Sequence, residues 1–221
     1  MRVLAITAFT ALSLFVQGQI LNITPVFPSQ NDTITVIYDA TEGNGALTGY
    51  TPVYAHTGLI TNQSTTPTDW KHVQGNWGTA DPNVLMTSLG NNLHKIEYHI
   101  PTYYGFGSNV TVQKLAFVFR NANGTVVGRA ADGSDIYYDI YPANAGLIAQ
   151  FMKPESTLLI SPTDSLETVV AASKFCDLKV YDNGTLVFQD SSKQETFYLS
   201  DTVPGMHMVI LEATDSLTTV Y

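Results

Sequence analysis

Cysteine is nearly absent from this 221-residue sequence, which contains only Cys176. A single cysteine has no partner within the chain, so no intramolecular disulfide stabilises the fold, and stability must come from packing. The surrounding segment KFCDL (174–178) mixes apolar and polar side chains. This mixture favours an ordinary strand residue over a reactive thiol at Cys176.

Charge is also scarce. Asp, Glu, Lys and Arg make up 13% of the residues, against about 25% in typical soluble domains. The net charge is -9, and lysine and arginine form no cluster anywhere in the chain. Nucleic acids and anionic membrane surfaces are bound through clustered positive charge, so the sequence excludes both as partners.

Long helical patterns are missing too, since no long segment repeats apolar residues at a spacing of three and four. Short alternating runs recur between turn signals instead. They predict an all-β fold, with two tandem β-sandwich, immunoglobulin-like domains after a signal peptide. The clearest strands of the first domain are 33–40, 53–57, 93–100, 114–120 and 136–141. In the segment 114–120, the alternation places Leu115, Phe117 and Phe119 on one side of the strand.

The chain divides into four predicted regions. Residues 1–18, MRVLAITAFTALSLFVQG, combine a positive start with a short apolar run and a small residue at the end. This pattern predicts a signal peptide and therefore a secreted, periplasmic or cell-surface protein with no membrane span after cleavage. Residues 19–141 form the first predicted sandwich, residues 142–146 (PANAG) a linker, and residues 147–221 the second sandwich.

The second domain reads as a series of short strands. They are predicted at 147–152, 167–173, 178–181, 185–188, 195–199, 207–214 and 217–221. Asn-Gly pairs at 123–124 and 183–184 predict tight hairpins in the first and second domains. The sequence stops inside what should be the closing strand, so we expect the chain to be the N-terminal part of a longer protein.

Recognisable catalytic motifs are absent. The five histidines have no zinc-ligand spacing, and nothing sets two carboxylates across a groove as a glycosidase requires. Asp132 and Asp135, in the segment DGSD, are weak candidates for calcium ligands, but this segment is more typical of a turn. We therefore predict a chain without its own catalytic site and without a cofactor.

The two tryptophans, Trp70 and Trp77, lie in the polar segment DWKHVQGNW (69–77). Aromatic rings beside amides and hydroxyls suit sugars, because a pyranose stacks its C–H face on a ring and offers hydroxyls to polar neighbours. We predict a carbohydrate-binding surface formed by Trp70, Trp77, Tyr54, His56 and Tyr104. The alternative is that the two tryptophans fill the sandwich core, and the alternation along 69–73 does not decide between these placements.

Several segments carry a family resemblance. They are DTITVIYDATEGNG (32–45), VYAHTGLIT (53–61), DWKHVQGNWG (69–78), KLAFVFRNANG (114–124) and ADGSDIYYDIY (131–141). Together they resemble the N-terminal, starch-binding-like β-sandwich of secreted Bacteroidetes-type α-amylase-family glycoside hydrolases. In that architecture a second, immunoglobulin-like domain, similar to residues 146–221, precedes a catalytic (β/α)8 barrel that this sequence lacks.

The resemblance implies extracytoplasmic α-glucan breakdown. Residues 19–141 would be a carbohydrate-binding-like sandwich, the partner an α-glucan polysaccharide, and the catalytic barrel would follow in the same chain. The sequence also allows two alternatives. The modules could be purely structural spacers or adhesion modules without glycan binding, or the six N-x-S/T sequons could belong to a glycosylated eukaryotic surface protein.

Overall fold

Antiparallel sheets form nearly all of the regular structure, as the sequence predicts. The structure is a computed structural model that describes residues 19–154, 161, 164–200 and 205–221. The predicted signal peptide lies outside the described residues. None of the described helices is long and apolar enough to cross a membrane.

Nine strands belong to the first predicted sandwich. They are β1 (Leu21–Thr24), β2 (Thr33–Asp39), β3 (Tyr54–Thr61), β4 (Lys71–Gln74), β5 (Thr87–Gly90), β6 (Leu93–His99), β7 (Val112–Arg120), β8 (Val127–Gly128) and β9 (Ile136–Asp139). Sheet I has the order β1-β2-β6-β5, and sheet II has the order β4-β3-β7-β8 with β9 also paired to β7.

The core of this sandwich lies between sheets I and II. Strand β2 contributes the fully buried residues of one inner face, Ile34, Val36 and Tyr38. Strand β7 contributes Leu115, Phe117 and Phe119, each also fully buried, in the same hydrophobic cluster. The ring of Tyr38 stacks on that of Phe119 with 3.8 Å between centroids. Leu115, Phe117 and Phe119 therefore lie on one side of β7, as predicted, and that side faces the core.

Two local features of this sandwich differ from the sequence prediction. The predicted strand 93–100 ends at His99, and helix α1 (Ile100–Tyr104) begins there because Pro101 fits the first helical turn. At 123–124 the hairpin is wider than a two-residue turn, since Gly124 N donates to Asn121 O and Val126 O accepts from Asn121 N. The side chain of Asn123 accepts from Thr125 N and stabilises this wider loop.

The rest of the chain forms sheet III. Its strands are β10 (Ala149–Lys153), β11 (Leu166–Asp182), β12 (Thr185–Leu199), β13 (Val209–Thr214) and β14 (Thr219–Val220). Strand β11 pairs with β12 on one edge and with β10 and β13 on the other. All the described strands after residue 147 thus belong to one sheet, whereas an immunoglobulin-like sandwich would divide them over two.

Strands β11 and β12 are much longer than predicted. The predicted strands 167–173 and 178–181 are one strand, and 185–188 and 195–199 are another. A register shift between Ala171 and Cys176 absorbs extra residues as a bulge, so no turn is needed between the two halves. Cys176 is buried in β11, in agreement with its prediction as a strand residue.

The hairpin between β11 and β12 forms as predicted. Asn183 and Gly184 have positive φ values of 48° and 82°, and they lie between the paired residues Asp182 and Thr185. Asparagine and glycine tolerate these values, which a type I′ turn requires.

Removal of the Phe117 ring tests the central role of the sandwich core. We expect Phe117→Ala to lower the free energy of unfolding by about 3–5 kcal/mol, because a fully buried ring leaves a cavity. Urea unfolding followed by circular dichroism measures this change. Leu89→Ala, at a residue that is 49% exposed in β5, is the control and should cost no more than about 0.5 kcal/mol. Equal effects of the two substitutions would contradict the described core.

Candidate functional site

The outer face of sheet II carries the predicted aromatic residues. Strands β3 and β7 pair Tyr54 with Arg120, His56 with Val118 and Gly58 with Ala116. Since successive side chains of a strand point to opposite faces, these residues point away from the core side, to which Leu115, Phe117 and Phe119 belong. The two tryptophans contact this outer face and are not part of the core cluster.

Trp70 packs against strand β3 at Gly58, which has no side chain. A Cβ atom at Gly58 would come within 3.1 Å of Trp70 Cε3, so the indole packs closely on the glycine backbone and a larger residue would crowd it. Trp70 Nε1 donates a hydrogen bond of 3.4 Å to the hydroxyl of Tyr137 on β9. The imidazole of His56 is nearly parallel to the indole, at 26° and 6.0 Å between centroids. Trp70 is half-buried, and its contacts with Gly58, Tyr137 and His56 fix the position of its indole.

Trp77 contacts His56 from another direction. The two rings meet edge to face, at 87° and 5.1 Å between centroids. Because His56 is nearly parallel to Trp70 and nearly perpendicular to Trp77, the two indoles are steeply inclined to each other. Trp77 is 48% exposed. The backbone of Gly124 lies against it, since a Cβ atom at Gly124 would be 2.8 Å from Trp77 Nε1.

Arg120 fixes the loop that carries Trp77. Its side chain is fully buried, and it donates from Nη1 to the carbonyls of Asn121 and Ala122 at 3.1 Å. Nη2 donates to the carbonyl of Asn76 at 2.9 Å, which ties the residue before Trp77 to the end of β7. The guanidinium also lies 5.8 Å from the Trp77 ring and 5.2 Å from the Tyr54 ring, as in cation–π contacts.

The charge of Arg120 affects His56. Burial lowers the pKa of His56 below its usual value, and the nearby Arg120 guanidinium lowers it further. The carboxylate of Asp135 acts in the opposite direction. His56 is therefore neutral at neutral pH. We call His56, Trp70, Trp77 and Arg120 the His56 cluster.

Two further residues proposed for the carbohydrate surface lie at different places. Tyr54 is 5% exposed, and its ring contacts the Arg120 guanidinium. It therefore packs against the His56 cluster but offers almost no surface to a ligand. Tyr104 is 3% exposed and belongs to the sandwich core, where its hydroxyl bonds with Thr57 Oγ1 at 2.7 Å and Tyr98 Oη at 3.1 Å. Thr57 follows His56 in β3 and points to the opposite face, so Tyr104 does not join the cluster.

The weak calcium candidates are occupied by other contacts. Asp135 forms an ion pair with Arg129, and the Asp132 carboxylate accepts from Ser134 N at 2.9 Å, as in a turn. Across the residues that the structure describes, no group of three or more His, Cys, Asp and Glu side chains could hold a metal ion.

Arg120, Gly58 and Tyr137 were missed by the sequence prediction. Arg120 ends the segment KLAFVFR, where its position alternates with Phe119 and therefore predicts the outer face. The burial of Arg120 depends on the loop that contains Asn76, which is distant in sequence, so no pattern near Arg120 predicts it. Gly58 interrupts an otherwise good strand, and a glycine inside a strand often marks a close approach of another group.

Comparison with known proteins assigns no activity. A family model described as a domain of unknown function (DUF8578) matches residues 21–127. The matched range spans β1 to β7 and includes the whole His56 cluster. No curated protein matches the chain.

A substitution that adds a side chain at Gly58 tests how Trp70 packs against β3. We expect Gly58→Ala to displace the indole, to change tryptophan fluorescence and to lower the free energy of unfolding by about 1–3 kcal/mol. Gly146→Ala is the matched control, because no atom of the described residues lies within 4 Å of a Cβ added there and its φ is not positive. If Gly58→Ala leaves the fluorescence and the stability as they are, the missing side chain of Gly58 does not set the position of Trp70.

The lowered pKa of His56 predicts a stability that depends on pH. An unfolded chain protonates its histidines near pH 6.5, so it takes up this proton before the folded protein does as the pH falls. The contribution of His56 is complete above about pH 6.5 and is lost below it. We expect urea unfolding to show a lower stability at about pH 5.5 than at about pH 7.5.

His56→Gln should make this loss of stability smaller. Some dependence will remain, because burial also lowers the pKa of His94. An unchanged pH dependence in His56→Gln would show that His56 takes no part.

Proposed function

We propose that the chain is a noncatalytic α-glucan-binding region of a secreted α-amylase-family glycoside hydrolase, and that Trp77 is its principal contact with the glucan. The observation that carries the proposal is a large aromatic ring, 48% exposed, on the outer face of the sandwich. A ring of this kind has a free surface for the C–H face of a sugar.

The fixed position of Trp77 supports this proposal. A side chain that is already ordered loses little conformational freedom when a ligand binds, so more of the contact energy becomes affinity. Arg120 and Gly124 contact the indole, and Trp77 remains 48% exposed. The Trp77 indole is thus already ordered in the free protein, in a position where a sugar can stack on it.

The polar neighbours of Trp77 fit the same ligand. Asn76 precedes the ring in the chain, and Asn123 precedes Gly124, which contacts it. Both asparagines are exposed. Amide groups donate and accept hydrogen bonds, as do sugar hydroxyls, so a sugar stacked on Trp77 would have polar partners at its rim.

The resemblance to the N-terminal modules of α-amylase-family enzymes makes an α-glucan the preferred ligand. In such an enzyme a binding module raises the concentration of polymer near the catalytic domain through the covalent link between them. The chain itself would perform no hydrolysis, and the barrel would act in the same polypeptide.

A structural spacer is the second candidate function. The steep angle between the indoles of Trp70 and Trp77 favours it, because these rings do not form one flat platform. Trp70 also uses its Nε1 within the protein, in the contact with Tyr137. In this alternative both tryptophans stabilise the outer face of sheet II.

Affinity electrophoresis in a gel that contains soluble starch distinguishes the two functions. We expect starch to retard the protein and Trp77→Ala to weaken binding about tenfold, as loss of an aromatic contact of about 1.5 kcal/mol predicts. Phe175→Ala is the control, since Phe175 is 67% exposed in sheet III and lies outside the cluster. It should leave the retardation unchanged.

Two results would overturn the proposal. The first is an absence of retardation on starch, glycogen and pullulan, which would leave the chain as a spacer. The second is retardation that survives both in Trp77→Ala and in a folded Trp70→Ala/Trp77→Ala double variant, which would place binding elsewhere. Circular dichroism of each variant checks that it is folded.

A further inference from the structure

A groove of about 340 Å³ lies at the other end of β7 from the His56 cluster. Three chain segments form its walls, 30–31, 111–113 and 140–143. Val112 is the first residue of β7 and Arg120 is the last. At about 3.3 Å per residue, the two sites are about 26 Å apart along the strand.

The walls of the groove are held together by hydrogen bonds. Val112 N donates to the side-chain Oε1 of Gln30 at 2.9 Å. Ile140 N donates to Gln113 O at 2.9 Å, and Tyr141 N donates to Pro28 O at 2.8 Å. All three segments are thus tied to a neighbour, so the groove is formed before any ligand arrives.

The floor is apolar and the rim is polar. Val112 and Ile140 are buried at the floor, and the ring of Tyr141 is fixed edge-on against Phe27 with 5.3 Å between centroids. The groove-lining residues include no Asp, Glu, Lys, Arg or His. This is notable in a chain whose net charge is -9, and it favours a neutral ligand.

The rim has unused hydrogen-bonding groups. Within the described part of the chain, no partner is present for the amide nitrogen of Gln30, the side-chain amides of Asn31 and Gln113, or the hydroxyl of Tyr141. The backbone N–H groups of Val112, Ile140 and Tyr141 are already bonded. A peptide that adds to a sheet needs free backbone groups, whereas a sugar needs side-chain amides and an aromatic ring.

We propose that this groove is a second binding site, and that it takes a neutral saccharide, either a short oligosaccharide or the end of a longer chain. Its volume is at the small end of ligand sites, which suits a short oligosaccharide or the end of a longer chain. The apolar floor and Tyr141 contact the C–H face of the sugar. The amides of Gln30, Asn31 and Gln113 bind its hydroxyls.

This site shares no residue with the His56 cluster, so it is independent of the function proposed for Trp77. The separation makes the two proposals distinguishable in one experiment. Backbone amide signals report on the groove, and the indole N–H signal of Trp77 reports on the cluster.

Nuclear magnetic resonance titration of the ¹⁵N-labelled protein with maltotriose tests the groove. We expect the amide signals of Val112, Gln113 and Tyr141 to shift in a saturable manner. Gln113→Leu should raise the dissociation constant read from these signals about fivefold or more, as loss of a hydrogen bond predicts. Gln63→Leu, an exposed glutamine outside the groove, is the matched control and should leave the constant unchanged.

The remaining outcomes separate the two sites. If maltotriose, cellotriose and diacetylchitobiose all leave the groove signals in place, the groove proposal is overturned, even when the Trp77 indole shifts. If the groove signals shift and the indole does not, the groove proposal stands and the proposal for Trp77 fails. Equal shifts with glucose 6-phosphate would overturn the preference for a neutral ligand.

Discussion

The buried guanidinium of Arg120 is the group on which the outer face of sheet II depends. Removing a charged group from solvent is costly unless its donors find acceptors, and two of the three Arg120 nitrogens, Nη1 and Nη2, find them. Here the acceptors are main-chain carbonyls of two loops, one before Trp77 and one after β7. The loops must therefore meet at the end of β7, and the position of Trp77 follows from their meeting.

Small residues shape this face as much as large ones do. Gly58 and Gly124 provide the space into which the two indoles fit, and His56 fills the angle between them. A neutral imidazole suits this position, because a second positive charge beside Arg120 would have to be desolvated as well. The packing of this cluster therefore favours the neutral form of His56.

Alternation along single strands predicts much of this fold. The period of two in β7 is sufficient to place Leu115, Phe117 and Phe119 in the core. The position of the tryptophans could not be predicted in this way, because it depends on Gly58 and Arg120, which are distant from Trp70 and Trp77 in sequence. Tyr104 was misplaced for a related reason, since its partner Thr57 points to the face opposite His56. The length of β11 was missed because a bulge replaced the expected turn.

The residues that line the groove at the start of β7 carry no charge, which affects how ligand binding there depends on salt. Attraction between charged partners weakens as dissolved salt screens it, over about 10 Å at 0.1 M ionic strength. Contacts among amides, hydroxyls and an aromatic ring involve no attraction between net charges, so salt does not screen them in this way. A neutral ligand held there would therefore bind with nearly the same strength in dilute and in saline water, while the negative charge of the whole chain would still keep separate molecules apart.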